Sequence, residues 1–294
     1  MKFKNSECHV IILWEAARFM EDKIIADVQK EFRIMAKYFI TWDEDRVYEN
    51  FSRFYAIKSR YAKGKMRHCG GGEFLMLVVE DRNPDYGERE TTAGLENVNT
   101  RLFDKKMLYR KWTHEGHKVH VTNSIAETNH NLCLFFGVTY QEYLDSLSGQ
   151  IDEVVLHQNL IGSDGWKSFD ELFKILNATA KYVVLRNFEK FFDEITCDEH
   201  LDIDLLVSNY NEVRLISNSI EVYPHNSRVV NQVIIDGELV NFDFRSIYDN
   251  YMDSKWSSDI IENRVLDIRG FYKPNKKHYF YSLMYHALLH KSEI

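Results

Sequence analysis

Long apolar runs, paired cysteines and an excess of positive charge are all missing from this 294-residue chain. No stretch approaches the roughly 20 apolar residues of a membrane-spanning helix, so no membrane span is expected. The start, Met1-Lys2-Phe3-Lys4-Asn5, leads straight into a short apolar strand and reads as having no secretory leader. Four cysteines, Cys8, Cys69, Cys133 and Cys197, lie far apart and form no Cys-x-x-Cys pair. That spacing excludes a zinc ribbon and a disulfide framework, and suits reduced thiols in the cytoplasm. A net charge of −8 argues against general nucleic-acid binding, which needs a basic face. Nucleotides stay open as substrates, because Mg2+ and a few local arginines neutralise their phosphates. Gly70-Gly71-Gly72 is followed by no Gly-Lys-Ser/Thr, so there is no P-loop. The preceding Lys63, Lys65, Arg67 and His68 read as a solvated basic loop. Internal repeats and low-complexity tracts are also absent.

What is present suits two folded cores. Hydrophobic residues make up 45% of the chain and charged residues 28%, at a length beyond the usual single domain. The junction is expected near residues 148–166, giving domains 1–148 and 165–294. Thr139-Tyr140-Gln141-Glu142 is a capping box that opens the last helix of the first domain. Ser168-Phe169-Asp170-Glu171 is a second, and Phe169, Leu172, Phe173 and Leu176 give its helix one apolar face. Glu153-Val154-Val155-Leu156 reads as a short strand within the connector.

The most informative segment is His117-Lys-Val-His120-Val-Thr-Asn-Ser124, followed by a helix opening with Ile125 and Glu127. A histidine ending a strand beside a helix start has a fixed backbone and nearby N–H groups that favour anions. Upstream, strands are expected over His9–Trp14, Arg33–Trp42 and Gly72–Val79. A helix over Lys23–Phe32 and one holding Phe54 and Tyr55 separate them, and a long polar segment carries Arg89 and Arg110. His120-Val121-Thr122-Asn123-Ser124 in this β-α-β-α-β-loop-β-α order resembles the nucleoside diphosphate kinases, over about residues 8–138. The resemblance implies a ferredoxin-like fold that associates into homo-oligomers, with His120 as phosphate-accepting nucleophile. It also implies Tyr55, Arg89, Arg110 and Asn123 as nucleotide-binding residues. Trp14 stands where that family has a lysine, and His117 where it has an asparagine.

A second constellation lies in Leu201-Asp202-Ile203-Asp204-Leu205-Leu206-Val207. Alternation along a strand puts Asp202 and Asp204 on one face, and two such carboxylates repel unless a divalent cation lies between them. Asp243 sits in another apolar strand, Leu239–Arg245, entered through the hairpin signal Asp236-Gly237. This half, about residues 165–291, resembles nucleotidyltransferases of the DNA polymerase β type, especially their polysaccharide-locus relatives. The resemblance implies Mg2+ held by Asp202, Asp204 and Asp243, with Asp243 also as general base. Arg186, in Leu185-Arg186-Asn187-Phe188, would contact nucleotide where the family usually has Gly-Ser.

The expected fold class is therefore α+β: a ferredoxin-like kinase-type domain, then a mixed-sheet nucleotidyltransferase-type domain. The expected activity is Mg2+-dependent transfer of a nucleotidyl or phosphoryl group from a nucleoside triphosphate to a small molecule or glycan. The alternative is a non-catalytic nucleotide-binding or scaffolding protein with degenerate domains, which the missing lysine and Gly-Ser favour. His286 and His290 are four apart on an expected helix, Tyr279–Lys291, and read as surface or packing residues because no zincin glutamate follows. The chain stops with no helix stop signal, as if a further C-terminal domain were cut away or separately encoded.

Overall fold

Apart from its first residue, the strand Glu7–Leu13 (β1) is buried throughout. A strand with two apolar faces belongs inside a sheet covered on both sides. That is its place in the computed structural model, which describes residues 6–57, 59–91, 94–147, 152–186, 188, 203–223 and 230–289. The chain is α+β and divides into two compact units, Met1–Ile161 and Gly162–Ile294.

In the first unit β1 leads through a 3-10 turn, Glu15–Met20, to α1 (Glu21–Glu31), β2 (Arg33–Thr41), α2 (Val47–Phe54), α3 (Ser59–Cys69) and β3 (Phe74–Asp81). A hairpin of β4 (Tyr86–Thr91) and β5 (Gly94–Asn99) follows, then α4 (Thr100–Trp112), β6 (Val119–Val121), α5 (Ile125–Phe136), α6 (Tyr140–Ser146) and β7 (Asp152–His157). The main sheet has the order β6-β1-β3-β2-β7. Only the β2–β7 pair is parallel in it. Ile11, Leu13, Leu75, Leu77 and Val79 pack with Ile24 and Val28 of α1 and Leu102 and Tyr109 of α4. An aromatic cluster of Trp14, Trp42, Phe51, Phe54, Phe74 and Phe135 joins α2 and α5 to the sheet.

Three stretches differ from expectation. Lys63–His68 is solvent-facing but no loop: it lies within α3, with Lys63, Arg67 and His68 exposed and Ala62 and Cys69 fully buried. The polar segment between Arg89 and Arg110 is no single loop either. It holds the β4–β5 strands and α4, whose N-cap Asn99 accepts a hydrogen bond from Leu102 N. The Glu153–Leu156 strand is also more than a connector, because β7 lies alongside β2 as a strand of the main sheet. The capping box at Thr139 and Glu142 is formed in full.

The second unit comprises α7 (Phe169–Thr179), β8 (Tyr182–Val184), β9 (Ile203–Val207), α8 (Tyr210–Ile216), β10 (Ile220–Glu221), β11 (Val230–Ile235) and β12 (Glu238–Ser246). It ends with α9 (Ser254–Glu262), β13 (Val265–Leu266), β14 (Tyr272–Lys273) and α10 (Lys276–Leu289). Its main sheet, β10-β11-β12-β9-β8, is mixed, since β12 and β9 run parallel. Ser168 caps α7, and Phe169, Leu172, Phe173 and Leu176 are buried, as their spacing requires. Asp236 and Gly237 both have positive φ, 52° and 80°, which a two-residue turn matched to strand twist demands. Among the described residues no helix is long and apolar enough to cross a membrane. Asp202, Asn187, Cys197 and His290 lie outside the described residues.

Candidate functional site

Strand alternation places His120. Val119 and Val121 join the core against α1 and α4, so His120 between them faces the other side, towards α2 and α5. Thr122 locks the strand end to β1, accepting from Val10 N at 2.8 Å. Ser124 then caps α5 by accepting from Glu127 N, and Glu127 returns a carboxylate oxygen to Asn123 N at 2.9 Å. These reciprocal bonds set the turn that follows the histidine.

His120 is only 7% exposed. Its ring stands edge-on to Phe54 at 5.1 Å and to Tyr55 at 5.9 Å between centroids. Nε2 lies 2.9 Å from the Asn131 amide nitrogen and 3.8 Å from Glu127. Burial, reinforced by the positive charges of Lys106, Lys65 and Arg110, holds its pKa well below the ordinary histidine value. The imidazole is therefore neutral at pH 7.

Three cations converge on this ring. Lys65, on α3, holds its ammonium 3.1 Å from the centre of the Tyr55 ring. Burial pushes its pKa down to about 8, with Arg110 and Lys106 adding repulsion. Lys106, on α4, donates to Asn123 Oδ1 at 3.2 Å, and burial lowers its pKa too. Arg110 gives Nε to the Val119 carbonyl at 3.1 Å, and burial again disfavours its charge. Among the described residues none of the three forms an ion pair with a carboxylate. Glu127 attracts Lys106 and Arg110 without a direct ion pair, and the desolvation of the three cations still costs stability that a bound anion would restore.

Of the residues singled out in the sequence, Tyr55, Arg110 and Asn123 thus gather with His120. Arg89 does not: it lies on β4, where Asp104 of α4 accepts from Nε at 3.3 Å and Nη2 at 3.4 Å. Trp14 occupies the end of β1 at 1% exposure and donates Nε1 to the Tyr55 hydroxyl at 3.0 Å. Lys65 and Lys106 were not anticipated. Lys65 belonged to a patch that reads as solvated, and only the folding of α3 brings it to Tyr55.

In the second unit β9 and β12 run in register with Asp204 opposite Asp243. Paired residues on parallel strands project from the same face, so the two carboxylates are neighbours. Asp204 is 4% exposed, and Arg186 donates Nη2 to its Oδ1 at 2.7 Å. Arg186 also donates Nη1 to the Tyr251 hydroxyl at 3.1 Å, and that hydroxyl lies 2.9 Å from Nδ1 of His286 on α10. His286 is accordingly tied to the site's periphery by a tyrosine. Among the described residues no group of three or more His, Cys, Asp or Glu side chains gathers to hold a metal. Two adjacent carboxylates nevertheless suit Mg2+, which takes hard oxygen donors and completes its shell with water and substrate phosphates. The guanidinium on Asp204 shows that this carboxylate attracts positive charge.

No family model matches the chain, and comparison with curated proteins gives no match.

Proposed function

We propose that the protein is a Mg2+-dependent transferase that moves a phosphoryl or nucleotidyl group from a nucleoside triphosphate to a small molecule or glycan. The observation that carries this reading is His120: a neutral, oriented imidazole near Lys65, Lys106 and Arg110, three cations in no direct ion pair among the described residues. The antiparallel order β6-β1-β3-β2 supports a ferredoxin-like kinase-type domain within the first unit, Met1–Ile161. The register of Asp204 with Asp243 supports a nucleotidyltransferase-type second domain over 165–294. The three described cysteines, Cys8, Cys69 and Cys133, are buried and in no disulfide, which accords with a cytoplasmic protein.

In the first domain the chemistry is nucleophilic. The lone pair of His120 Nδ1 attacks the γ-phosphorus, an N–P bond forms, the P–O bond to the β-phosphate breaks, and nucleoside diphosphate leaves with the electron pair. Onward transfer forms an O–P bond to the acceptor hydroxyl, breaks the N–P bond and releases the hydroxyl proton. Asn131 sets the tautomer. With its amide nitrogen facing Nε2, as it stands, the ring proton is on Nδ1. A half-turn of the amide brings its oxygen to Nε2, which then carries the proton and frees the Nδ1 lone pair. Lys65, Lys106 and Arg110 hold the phosphate oxygens.

In the second domain Asp204 and Asp243 would hold Mg2+, with Asp202 outside the described residues as the third carboxylate of the motif. When bound, the cation supplies neutralisation of the triphosphate oxygens. Asp243 draws the proton from the acceptor hydroxyl, and Arg186, released from Asp204, turns to phosphate.

A second reading, a non-catalytic nucleotide-binding or scaffolding protein, is favoured by one specific observation. Trp14 fills the end of β1 with an indole where a catalytic lysine is expected. Parallel incubations with γ-labelled and α-labelled ATP and Mg2+ separate the two. The transferase reading predicts γ-label transfer that His120→Ala abolishes, or α-label transfer that Asp204→Ala abolishes. Nucleotide binding without transfer of either label across a panel of sugar and alcohol acceptors would favour the scaffold.

A further inference from the structure

Helix α10 turns its apolar side outward. It is capped by Asn275, whose side chain accepts from His278 N at 3.0 Å. The face that meets its own unit carries His278, Ser282, Tyr285 and His286. His278 and Ser282 are buried there. His278 Nδ1 accepts from the Trp256 indole at 3.3 Å, Tyr285 donates its hydroxyl to the Tyr251 carbonyl at 3.0 Å, and His286 Nδ1 lies 2.9 Å from the Tyr251 hydroxyl. Helical spacing puts Phe280, Leu283, Met284, Ala287 and Leu288 on the opposite face, with Tyr281 at its margin. The five large side chains among these are between 38% and 65% exposed. A surface helix normally buries such a stripe and leaves its polar residues to water. Here the order is reversed.

The stripe is large enough to need a cover. Its side chains expose about 600 Å2 of mostly apolar surface, the upper end for the largest patch on an ordinary monomer. Two such faces closed on each other would bury about 1,200 Å2, which is what a specific interface requires at minimum. Phe280, Leu283 or Met284, and Ala287 recur at intervals of three and four, the seam of two helices packed side by side. An antiparallel pair with its two-fold axis between Leu283 and Met284 sets the bulky Phe280 opposite the partner's Ala287.

Charge selects the same occupant and the same direction. No Asp or Glu occurs between Lys276 and Leu289, and Lys276 and Lys277 lie in the first turn, at the positive end of their own helix dipole. An antiparallel partner brings its carbonyl end beside these lysines, where a cation is favourable; a parallel one would bring the two lysine pairs together. The net charge of −8 disfavours an anionic membrane surface as the cover.

We infer that α10 is a dimerisation helix, through which two copies of the chain pair antiparallel about a two-fold axis. This face belongs to the second unit, whereas the oligomers implied by the kinase resemblance would form through the first. The inference does not rest on the transferase reading.

Sedimentation equilibrium of the full chain at tens of micromolar, without nucleotide, tests it. The wild type is expected at twice 34.9 kDa. Met284→Glu and Met284→Lys each place like charges beside the axis, and each is expected to weaken pairing by at least about a hundredfold and to sediment as a monomer. Met284 is exposed in the single chain, so both variants should keep wild-type circular dichroism. Mixed in equal amounts they should pair again, because opposite charges then meet across the axis. A larger wild-type assembly supports the inference when either substitution halves its mass. A monomeric wild type overturns it, as does an assembly whose mass neither substitution changes. A mixture no heavier than either variant alone overturns the two-fold antiparallel register. Flotation of a monomeric chain with phosphatidylserine vesicles, lost in Met284→Glu, would give the face to a membrane and overturn the dimer.

Discussion

Replacing Lys65 by methionine should make the protein more stable and less able to bind phosphate. The ammonium is half-buried beside Arg110 and Lys106, and its pKa drops from an ordinary 10.5 to about 8. A depression of that size corresponds to about 3 kcal/mol against the charged form. Contact with the Tyr55 face returns about 1–2 kcal/mol, and solvent near the half-exposed stem screens part of the remainder. The net cost of the charge at pH 7 is thus about 1–2 kcal/mol. Methionine keeps the unbranched stem and removes the charge. The sign with pH follows from linkage. Between pH 8 and 10.5 the unfolded chain binds more protons at this position than the folded one, so wild-type stability rises with pH across that window. Below pH 8 both states are protonated and the full cost is present; above 10.5 it is gone. Urea unfolding at pH 7 should therefore show Lys65→Met more stable by about 1–2 kcal/mol. The advantage should shrink to nearly nothing by pH 10.5. A destabilised Lys65→Met at pH 7, or a gain independent of pH, would refute the reasoning: the ammonium would then be well satisfied by the protein itself and would need no anion.

His130 on α5 is pushed down to about 4 by burial, against 6.5 for an ordinary histidine. Because the unfolded chain takes up the proton first, stability is full above pH 6.5 and falls as pH drops from 6.5 towards 4, by at most about 3 kcal/mol. His120 acts in the same direction, so a urea midpoint unchanged between pH 7 and pH 4.5 would count against both. Arg186→Met strips Asp204 of its guanidinium and should destabilise the protein by about 3 kcal/mol. Millimolar Mg2+ or the added change Asp204→Asn should restore much of it, and thermal unfolding that shows neither would remove the case for a cation site. Ser124→Ala deletes the α5 cap and should cost about 1 kcal/mol by the same assay. The loss should be accompanied by slower labelling of His120, because the turn after the histidine loosens.

The parts of the site that are local in sequence were legible there. His120, Asn123, Ser124 and Glu127 fall within one strand end and one helix turn, where capping chemistry fixes geometry. Asp236-Gly237 sets a hairpin, and apolar alternation around Asp204 and Asp243 is enough to put both on strands. What escaped was decided by tertiary packing. In α3 the buried Ala62 and Cys69 are too sparse to make a stripe among Lys63, Lys65 and Arg67. In α4 Leu102 and Tyr109 are buried but Met107 is exposed, so no single apolar face stands out. Lys65 and Lys106 ride on these two helices, and their convergence on His120 follows from how the helices pack. Arg89, given a nucleotide-binding role by resemblance, finds Asp104 close by instead, an ion pair between a hairpin and a helix that sequence alone did not reveal.

The most direct test of the central claim is to locate phosphate on the chain by mass spectrometry after brief incubation with ATP and Mg2+, keeping the sample alkaline throughout. A phosphate on His120 that is lost on acidification, absent from His120→Ala and discharged by nucleoside diphosphate, is what the neutral imidazole and its three cations predict. An unmodified His120 under saturating ATP, or an acid-stable phosphate on Thr122 or Ser124 instead, would contradict the account.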